Sequence, residues 1–185
     1  MIKEIEIKLK ISSEEFNQLV TNMDDFQFER TYGFFTNEYS NMERWIFPRI
    51  KEVIKWLERS AYVTVKVKNQ NHSNQFFVRD EYEFIVVNID DAKINEIRGM
   101  FFALEYINEH IFEKKRYSLP SANNCEIVVD VLPFWYFIEI EWDESNITKT
   151  ITQLNLEWNE KINSAYLKLW EVHKRENNLT WECIF

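Results

Sequence analysis

Glycine is nearly missing from this chain of 185 residues, which has only Gly33 and Gly99. Glycine-rich phosphate loops and dinucleotide-binding fingerprints need several closely spaced glycines. Both kinds of nucleotide site are therefore excluded. A phosphate group bound by this protein must be held by side chains rather than by the backbone amides of such a loop.

Cysteine and histidine are also rare, with two cysteines (Cys125 and Cys183) and three scattered histidines. Neither set has the spacing of zinc ligands, and no Ser-His-Asp arrangement stands out. The few cysteines are typical of a reducing compartment, so we expect a cytoplasmic protein. No apolar run reaches membrane-spanning length, and the N-terminus carries no signal-peptide core.

The chain has fewer basic than acidic residues. It contains 22 Lys and Arg and 31 Asp and Glu, which gives a net charge of −9. That balance argues against general binding to nucleic acid or to anionic membranes, although it leaves room for a local basic cavity. Hydrophobic residues make up 45% of the chain, which predicts a packed core rather than disorder. We expect one domain over residues 1–185.

The N-terminal stretch from Lys3 to Ile11 alternates charged and aliphatic residues without a break. This period of two predicts a β-strand with Glu4, Glu6 and Lys8 on one face. The two carboxylates are spaced to hold one divalent cation. Taken alone, the stretch is more typical of an edge strand whose charges lie in water.

Later stretches repeat this alternation, so the charged face is a property of the whole predicted sheet. Charged positions share one face in predicted strands near 43–51 (Arg49, Lys51), 62–68 (Lys66), 76–87 (Arg79, Glu81, Glu83), 106–119 (Lys114, Arg116), 125–131 (Asp130) and 134–142 (Glu139, Glu141). An aromatic strand is predicted over 28–39, with no carboxylate between Tyr32 and Asn37. Pro48 restricts its segment to a strand start or a sheet edge, and residues 52–58 fit a short helix equally well.

Helices are predicted between and after these strands. Ser12 and Glu15 form a capping box that begins a helix ending at Asp24 and Asp25. Asp90 and Asp91 favour a second helix start. The chain after residue 142 has helical spacing, and residues 181–185 are expected to add a packing segment.

The two faces of the predicted strands determine the architecture. Helices need an apolar sheet face to pack on, so the charged faces must meet one another or water. A closed or nearly closed antiparallel β-barrel of the α+β class, with its helices outside, turns the charges inward and removes the sheet edges. Many buried charges are tolerated only when they are paired or bound to a ligand. A polyanion that carries divalent cations fits such an interior.

These motifs, taken in order, resemble the CYTH superfamily of triphosphate tunnel metalloenzymes. Five segments carry the resemblance: Glu4-Ile-Glu6-Ile-Lys8 (E-x-E-x-K), Lys66 at mid-barrel, Arg79-Asp-Glu81-Tyr-Glu83 (R-x-E-x-E), Lys114-Lys-Arg116 (K-x-R), and Asp130 followed by Phe137-Ile-Glu139-Ile-Glu141 (F-x-E-x-E). In Arg49-Ile50-Lys51, a lysine stands where the family usually has the second arginine of R-x-R.

The resemblance implies a role for each charged residue. The implied catalytic residues are Glu4, Glu6, Lys8 and Lys66. The implied phosphate-binding residues are Lys8, Arg49, Lys51, Lys66, Arg79, Lys114 and Arg116. Glu4, Glu6, Asp130, Glu139 and Glu141 are the implied ligands of Mg²⁺ or Mn²⁺, with Asp130 equally able to orient a basic residue. Glu81 and Glu83 are expected to be supporting residues.

The resemblance further implies divalent-metal-dependent hydrolysis of tripolyphosphate, thiamine triphosphate or a nucleoside triphosphate. Two alternatives stay open: a class IV adenylyl cyclase that makes cyclic AMP and pyrophosphate, and a module that binds a phosphorylated ligand without turnover. The expected partner is a small polyphosphate or nucleotide, with neither general nucleic-acid binding nor a membrane. Whether the protein forms a homodimer stays open.

Overall fold

The computed structural model describes residues 2–21, 23, 25–35, 46–55, 58–68, 76–106 and 108–185. Two of the predicted site residues, Glu4 and Arg79, have described backbones, but their side chains lie outside the described part. Residues 69–75, whose Asn, Gln, His and Ser side chains predict a hairpin loop, and the last part of the strand predicted over 28–39 also lie outside it.

Eight strands and four helices make up the described regions. The strands are β1 Ile2–Ile11, β2 Gln27–Phe35, β3 Ile46–Lys55, β4 Glu58–Lys68, β5 Phe77–Val87, β6 Asn108–Ala122, β7 Cys125–Val131 and β8 Tyr136–Glu141. The helices are α1 Ser13–Leu19, α2 Asp91–Ala103, α3 Glu144–Gln153 and α4 Tyr166–Glu176.

The strands form a closed antiparallel barrel in the order β1-β5-β4-β3-β2-β6-β7-β8. Strand β1 closes the ring because its two halves have different partners. Residues 2–6 pair with β5, and residues 6–11 pair with β8. The predicted α+β barrel with outer helices is confirmed.

Aliphatic and aromatic side chains cover the outside of the barrel. Ile7 and Leu9 of β1 pack with Ile138 and Ile140 of β8 in a cluster that also includes Ile147 of α3. On the opposite side, strands β2 to β4 pack against α2, where the rings of Phe34 and Phe101 stack with centroids 4.6 Å apart. The alternate, polar positions of the same strands therefore face the interior.

A third apolar cluster closes one end of the barrel with α4. Its members include Phe112, Phe137, Tyr166, Trp170 and Cys183. Leu167 packs close to β2, where a Cβ added at Gly33 would lie 3.1 Å from its Cδ1. A glycine at this position therefore allows the helix to approach the strand closely.

Two further segments cover strand edges near this end. Residues 160–162 bond to β1 beyond the point where β5 pairs with it, through Lys10 N to Glu160 O (2.9 Å) and Ile162 N to Lys8 O (2.8 Å). Cys183 accepts a bond from Glu113 N at 2.7 Å, beyond the end of β7. The predicted packing role of the C-terminal tail is confirmed.

Two boundary predictions are wrong, and one alternative that the sequence left open is decided. Helix α1 ends at Leu19 rather than at Asp24 and Asp25. Residues 52–55 continue β3 instead of forming a helix, since they pair with both β2 and β4. Residues 154–165 are turns and an isolated bridge rather than helix.

Pro48 lies where the sequence analysis predicts. It pairs with Val65 of β4 and sits one residue beyond Arg49, the last β3 residue paired with β2. Its missing N–H therefore removes no bond of the β2–β3 ladder. Among the described helices, none is long and apolar enough to cross a membrane.

Candidate active site

The barrel encloses a tunnel lined by two groups of charged side chains. We call one group the acidic wall, from β1, β2, β6, β7 and β8, and the other the basic wall, from β3, β4 and β5. The acidic wall comprises Glu6, Lys8, Glu29, Lys114, Arg116, Asp130, Glu139 and Glu141, and the basic wall comprises Arg49, Lys51, Lys66 and Glu81. Sequence reasoning predicts all of these residues except Glu29.

Asp130 is the central acceptor of the acidic wall. It is fully buried, and it accepts bonds from Lys114 Nζ (2.8 Å), Arg116 Nε (2.7 Å) and Arg116 Nη2 (2.6 Å). Tyr166 Oη of α4 donates a further bond to Asp130 Oδ2 at 2.9 Å. These contacts are those of a residue that orients basic groups, which is one of its two predicted roles.

Glu139 contacts two cationic side chains, one on each side of β8. Its Oε1 lies 3.1 Å from Lys8 Nζ, and its Oε2 accepts a bond from Arg116 Nη2. Burial would raise the pKa of Glu139, but Lys8, Arg116 and Lys114 together hold it well below the usual range. Burial would lower the pKa of Arg116, yet Asp130, Glu29 and Glu139 raise it well above its usual range. Both groups are therefore ionised, which is the state needed for mutual pairing.

Glu29 is the site residue that sequence reasoning missed on β2. It is 1% exposed, and its Oε2 lies 3.2 Å from Lys114 Nζ. Burial would raise its pKa, but Lys114 and Arg116 lower the pKa to about 2. A carboxylate is expected between Tyr32 and Asn37, whereas the strand begins at Gln27 and has its carboxylate near its start. The alternation Gln27-x-Glu29-x-Thr31 is the signal that could have found it.

The basic wall has fewer carboxylates to neutralise its cations. Glu81 lies 2.9 Å from Lys66 Nζ and 3.7 Å from Arg49 Nη2, so one carboxylate serves two cations. Arg49 Nε is buried with no hydrogen-bond partner among the described residues. Glu83 is exposed and accepts a bond from Thr64 Oγ1 at 2.9 Å, so Glu81 rather than Glu83 contacts Lys66.

Lys51 lies inside the tunnel with no ion pair to any described side chain. Its Nζ sits 4.4 Å from the centroid of the Tyr62 ring. Burial lowers the pKa of Lys51, and the nearby charges of Arg49, Lys114 and Arg116 lower it further, against the opposing effect of Glu29. A cation held this way gains from any anion that enters the tunnel.

Glu6 and Glu141 form the carboxylate pair best suited to a divalent cation. They are direct partners on β1 and β8, a geometry that brings Cβ atoms to about 5 Å. Glu139, another predicted ligand, contacts Lys8 and Arg116 through its two oxygens, whereas Glu6 Oε1 lies 3.9 Å from Lys8 Nζ. Within the described residues, no three Asp, Glu, His or Cys side chains cluster as a metal site. Mg²⁺ commonly binds one or two carboxylates together with substrate phosphates, so two carboxylates fit it.

Tyr166 is the second tunnel residue that sequence reasoning missed. The helical spacing predicts it as part of an apolar stripe, whereas the structure places its hydroxyl on Asp130 and its ring near Lys8. Burial raises the pKa of Tyr166, and the charges of Asp130 and Glu139 raise it well above the usual range. The hydroxyl therefore stays protonated and donates.

A comparison with known protein families identifies the family of this chain. The model of the CYTH domain matches residues 2–166. The protein belongs to the CYTH domain family. The resemblance inferred from the charged strands is thereby confirmed, and the matched segment contains every predicted site residue. A comparison with curated protein sequences gives no match.

The matches to solved structures of similar fold extend over nearly the whole chain. The PH1819 protein of Pyrococcus horikoshii OT3 is 19% identical with a TM-score of 0.68, and the match covers 92% of this chain and 99% of the other. HpAC1 from Hippeastrum, described with a dominant triphosphatase activity, is 15% identical with a TM-score of 0.62, over 92% and 96%. A candidate adenylate cyclase from Bacillus halodurans is 17% identical with a TM-score of 0.56, over 89% and 96%. At these identities the likeness shows the fold.

Proposed function

We propose that this CYTH protein hydrolyses a triphosphate inside its tunnel with the help of Mg²⁺ or Mn²⁺. The observation that carries the proposal is the enclosure of Lys8, Lys66, Lys114 and Arg116 in one channel, each in contact with a carboxylate. A phosphate chain supplies the negative charge that these cations can bind, and the carboxylates supply oxygen ligands for a divalent cation.

The names of two structural neighbours support the same chemistry. HpAC1 is described with a dominant triphosphatase activity, and the Bacillus halodurans protein is named as a candidate adenylate cyclase. Both activities act on a triphosphate. Since the neighbours share the barrel, hydrolysis of a triphosphate is the simplest activity to assign to this tunnel.

The two walls have different roles in this proposal. Arg49, Lys51 and Lys66 bind phosphate oxygens from the basic wall, while Lys8 and Lys66 stabilise charge on the reacting phosphoryl group. Glu6 and Glu141 hold the divalent cation, with Glu4 added by the resemblance. When bound, the cation neutralises charge on the phosphoryl oxygens and orients the attacking water.

Further binding residues lie on the acidic wall and on β5. Lys114 and Arg116 reach phosphate from the acidic wall, where Asp130 and Glu139 hold them, and the resemblance adds Arg79 of β5. Glu81 supports Lys66. We also place the activity in the cytoplasm, in keeping with Cys125 and Cys183, which are both unbridged thiols.

A panel of substrates tests the proposal. Tripolyphosphate, thiamine triphosphate, ATP and an RNA 5′-triphosphate are incubated with the protein and Mg²⁺ or Mn²⁺, and phosphate, pyrophosphate and cyclic AMP are measured. Metal-dependent release of phosphate is the expected result. Cyclic AMP and pyrophosphate from ATP would instead identify a cyclase. Thermal stabilisation by tripolyphosphate without turnover would identify a binding module and overturn the hydrolase assignment.

A further inference from the structure

Tyr166 enters the tunnel from a helix rather than from a strand. It is the first residue of α4 and is only 6% exposed. Its hydroxyl donates to Asp130 Oδ2 at 2.9 Å, and the Nζ atoms of Lys8 and Lys114 lie 4.2 and 5.4 Å from its ring centroid. One aromatic side chain thus contacts an anion and two cations of the acidic wall.

Asp130 is held from three directions by these contacts. Arg116 donates to both of its oxygens, and Lys114 and Tyr166 donate to Oδ2. The carboxylate cannot rotate without losing at least one of these bonds. Because Asp130 holds Lys114 and Arg116 in turn, the position of the two cations depends on the donor supplied by α4.

We propose that Tyr166 is a positioning residue: by holding Asp130, it keeps Lys114 and Arg116 where they receive a phosphate chain. This inference rests on the proposed function of the tunnel. When phosphate oxygens attract Lys114 and Arg116, the hydroxyl of Tyr166 still donates to Asp130, so the buried carboxylate keeps a neutral donor. Without that donor, Asp130 competes more strongly with the phosphate for the two cations.

The protein contains a matched control for this residue. Tyr32 is 7% exposed, and its hydroxyl lies 3.5 Å from Glu52 Oε2. Glu52 is buried on the outer side of the barrel, where Arg59 also binds it. Tyr166→Phe and Tyr32→Phe therefore each remove one hydroxyl beside a buried carboxylate, but only the first is in the tunnel.

The first experiment measures tripolyphosphate affinity by calorimetry, together with kcat, KM and the free energy of unfolding. We expect Tyr166→Phe to weaken tripolyphosphate binding and to raise KM by about tenfold, the loss expected for a hydrogen bond to a charged group. The value of kcat should change by less than about threefold, because the groups that contact the reacting phosphate are intact. Tyr32→Phe should leave affinity and KM unchanged.

A double-mutant cycle separates positioning from general packing. If Tyr166 acts through Asp130, Tyr166→Phe has no further effect on tripolyphosphate affinity when Asp130→Asn is already present. A purely structural role for the hydroxyl predicts the same loss of affinity in both backgrounds, or a loss of stability alone.

Several outcomes would overturn the inference. These are unchanged tripolyphosphate affinity in Tyr166→Phe, an equal loss in Tyr32→Phe, or additive effects of Tyr166→Phe and Asp130→Asn. A wild-type protein that binds tripolyphosphate without hydrolysing it would overturn the proposed hydrolysis alone, since affinities are still compared between variants. A wild-type protein that binds no tripolyphosphate would overturn both.

Discussion

The acidic wall and the basic wall use the same residue types with opposite balances. As defined above, the acidic wall has five carboxylates and three cations, whereas the basic wall has three cations and one carboxylate. In the acidic wall each cation contacts at least one carboxylate within 3.2 Å, as Lys8 does with Glu139. In the basic wall only Lys66 does so, while Arg49 lies 3.7 Å from Glu81 and Lys51 has no ion pair with a described residue.

This difference indicates two roles for the charged side chains inside the tunnel, one in stability and one in phosphate binding. Buried ions that are fully paired and hydrogen-bonded contribute to a specific packed arrangement, because removing one partner leaves the others uncompensated. Cations with few partners keep a cost of burial that an incoming anion relieves. We therefore expect substitutions in the acidic wall to reduce stability and substitutions in the basic wall to reduce phosphate binding.

The largest expected effect is at the carboxylate pair of the acidic wall that is the proposed cation site. Replacing Glu6 and Glu141 by glutamine removes two carboxylates that are direct partners on β1 and β8. Metal-dependent turnover should fall by more than about a hundredfold, since these groups are the proposed cation ligands. Steady-state rates over a range of Mg²⁺ and Mn²⁺ concentrations measure the change.

The control for that double variant is Glu126→Gln. Glu126 pairs with Glu141 in register but is exposed to solvent. Its replacement should leave the rate and the metal dependence as in the wild type. Wild-type rates in Glu6→Gln with Glu141→Gln would remove the cation assignment.

The next prediction concerns one carboxylate from each wall. Chemical denaturation measures the free energy of unfolding of each variant. Asp130→Ala should lower the free energy of unfolding by about 3–5 kcal/mol, because it removes the buried carboxylate that Lys114 and Arg116 share. Glu81→Ala should cost less, about 1–2 kcal/mol, because the side chain of Glu81 is 17% exposed whereas that of Asp130 is fully buried. Equal losses at the two positions would contradict the distinction between the walls.

Acid provides a smaller test of the acidic wall. The pKa of Glu29 is about 2 in the folded protein and about 4.3 in an unfolded chain, so its ionised form favours folding. This stabilisation is complete above about pH 5 and is lost as the pH falls through 4.3 toward 2. Urea unfolding at several pH values should show a steeper decline for the wild type than for Glu29→Gln. Parallel declines would show that Glu29 is not ionised by its neighbours.

The smallest expected change in stability is at the basic wall. Lys51→Met should leave the free energy of unfolding equal or slightly higher, because Lys51 is half-buried with a lowered pKa and has no ion pair to a described residue that could be lost. Its affinity for tripolyphosphate should fall by about tenfold, as for a lost charge-assisted bond. Lys55→Met, an exposed position on the same strand, is the control. A destabilised Lys51→Met variant with normal affinity would reverse the assignment of the walls.

Much of the tunnel could be predicted because strand periodicity needs no tertiary information. The alternation in β1 predicts that Glu6 and Lys8 share a face, and the structure places both in the tunnel. The same reasoning brings Lys114, Arg116 and Glu139 together, although they come from distant parts of the chain.

The misses have physical causes. Glu29 was missed although it lies inside the predicted strand, because the carboxylate was expected between Tyr32 and Asn37 and the role of Glu29 depends on pairing with Lys114 of β6. The local pattern of residues 52–55 fits a helix equally well. Their pairing with two neighbouring strands makes them part of β3. In both cases long-range pairing overrides the local signal.

The amino-acid sequence by itself determined which side chains share a face, because a strand turns successive residues to opposite sides wherever it lies. It thereby determined that this CYTH protein has charged strand faces that must be enclosed and paired. Only the tertiary structure decided which charges neutralise one another, since that depends on strand order and on where α4 closes the barrel. The contact of Tyr166 with Asp130 joins residues 36 positions apart, and no local pattern specifies it.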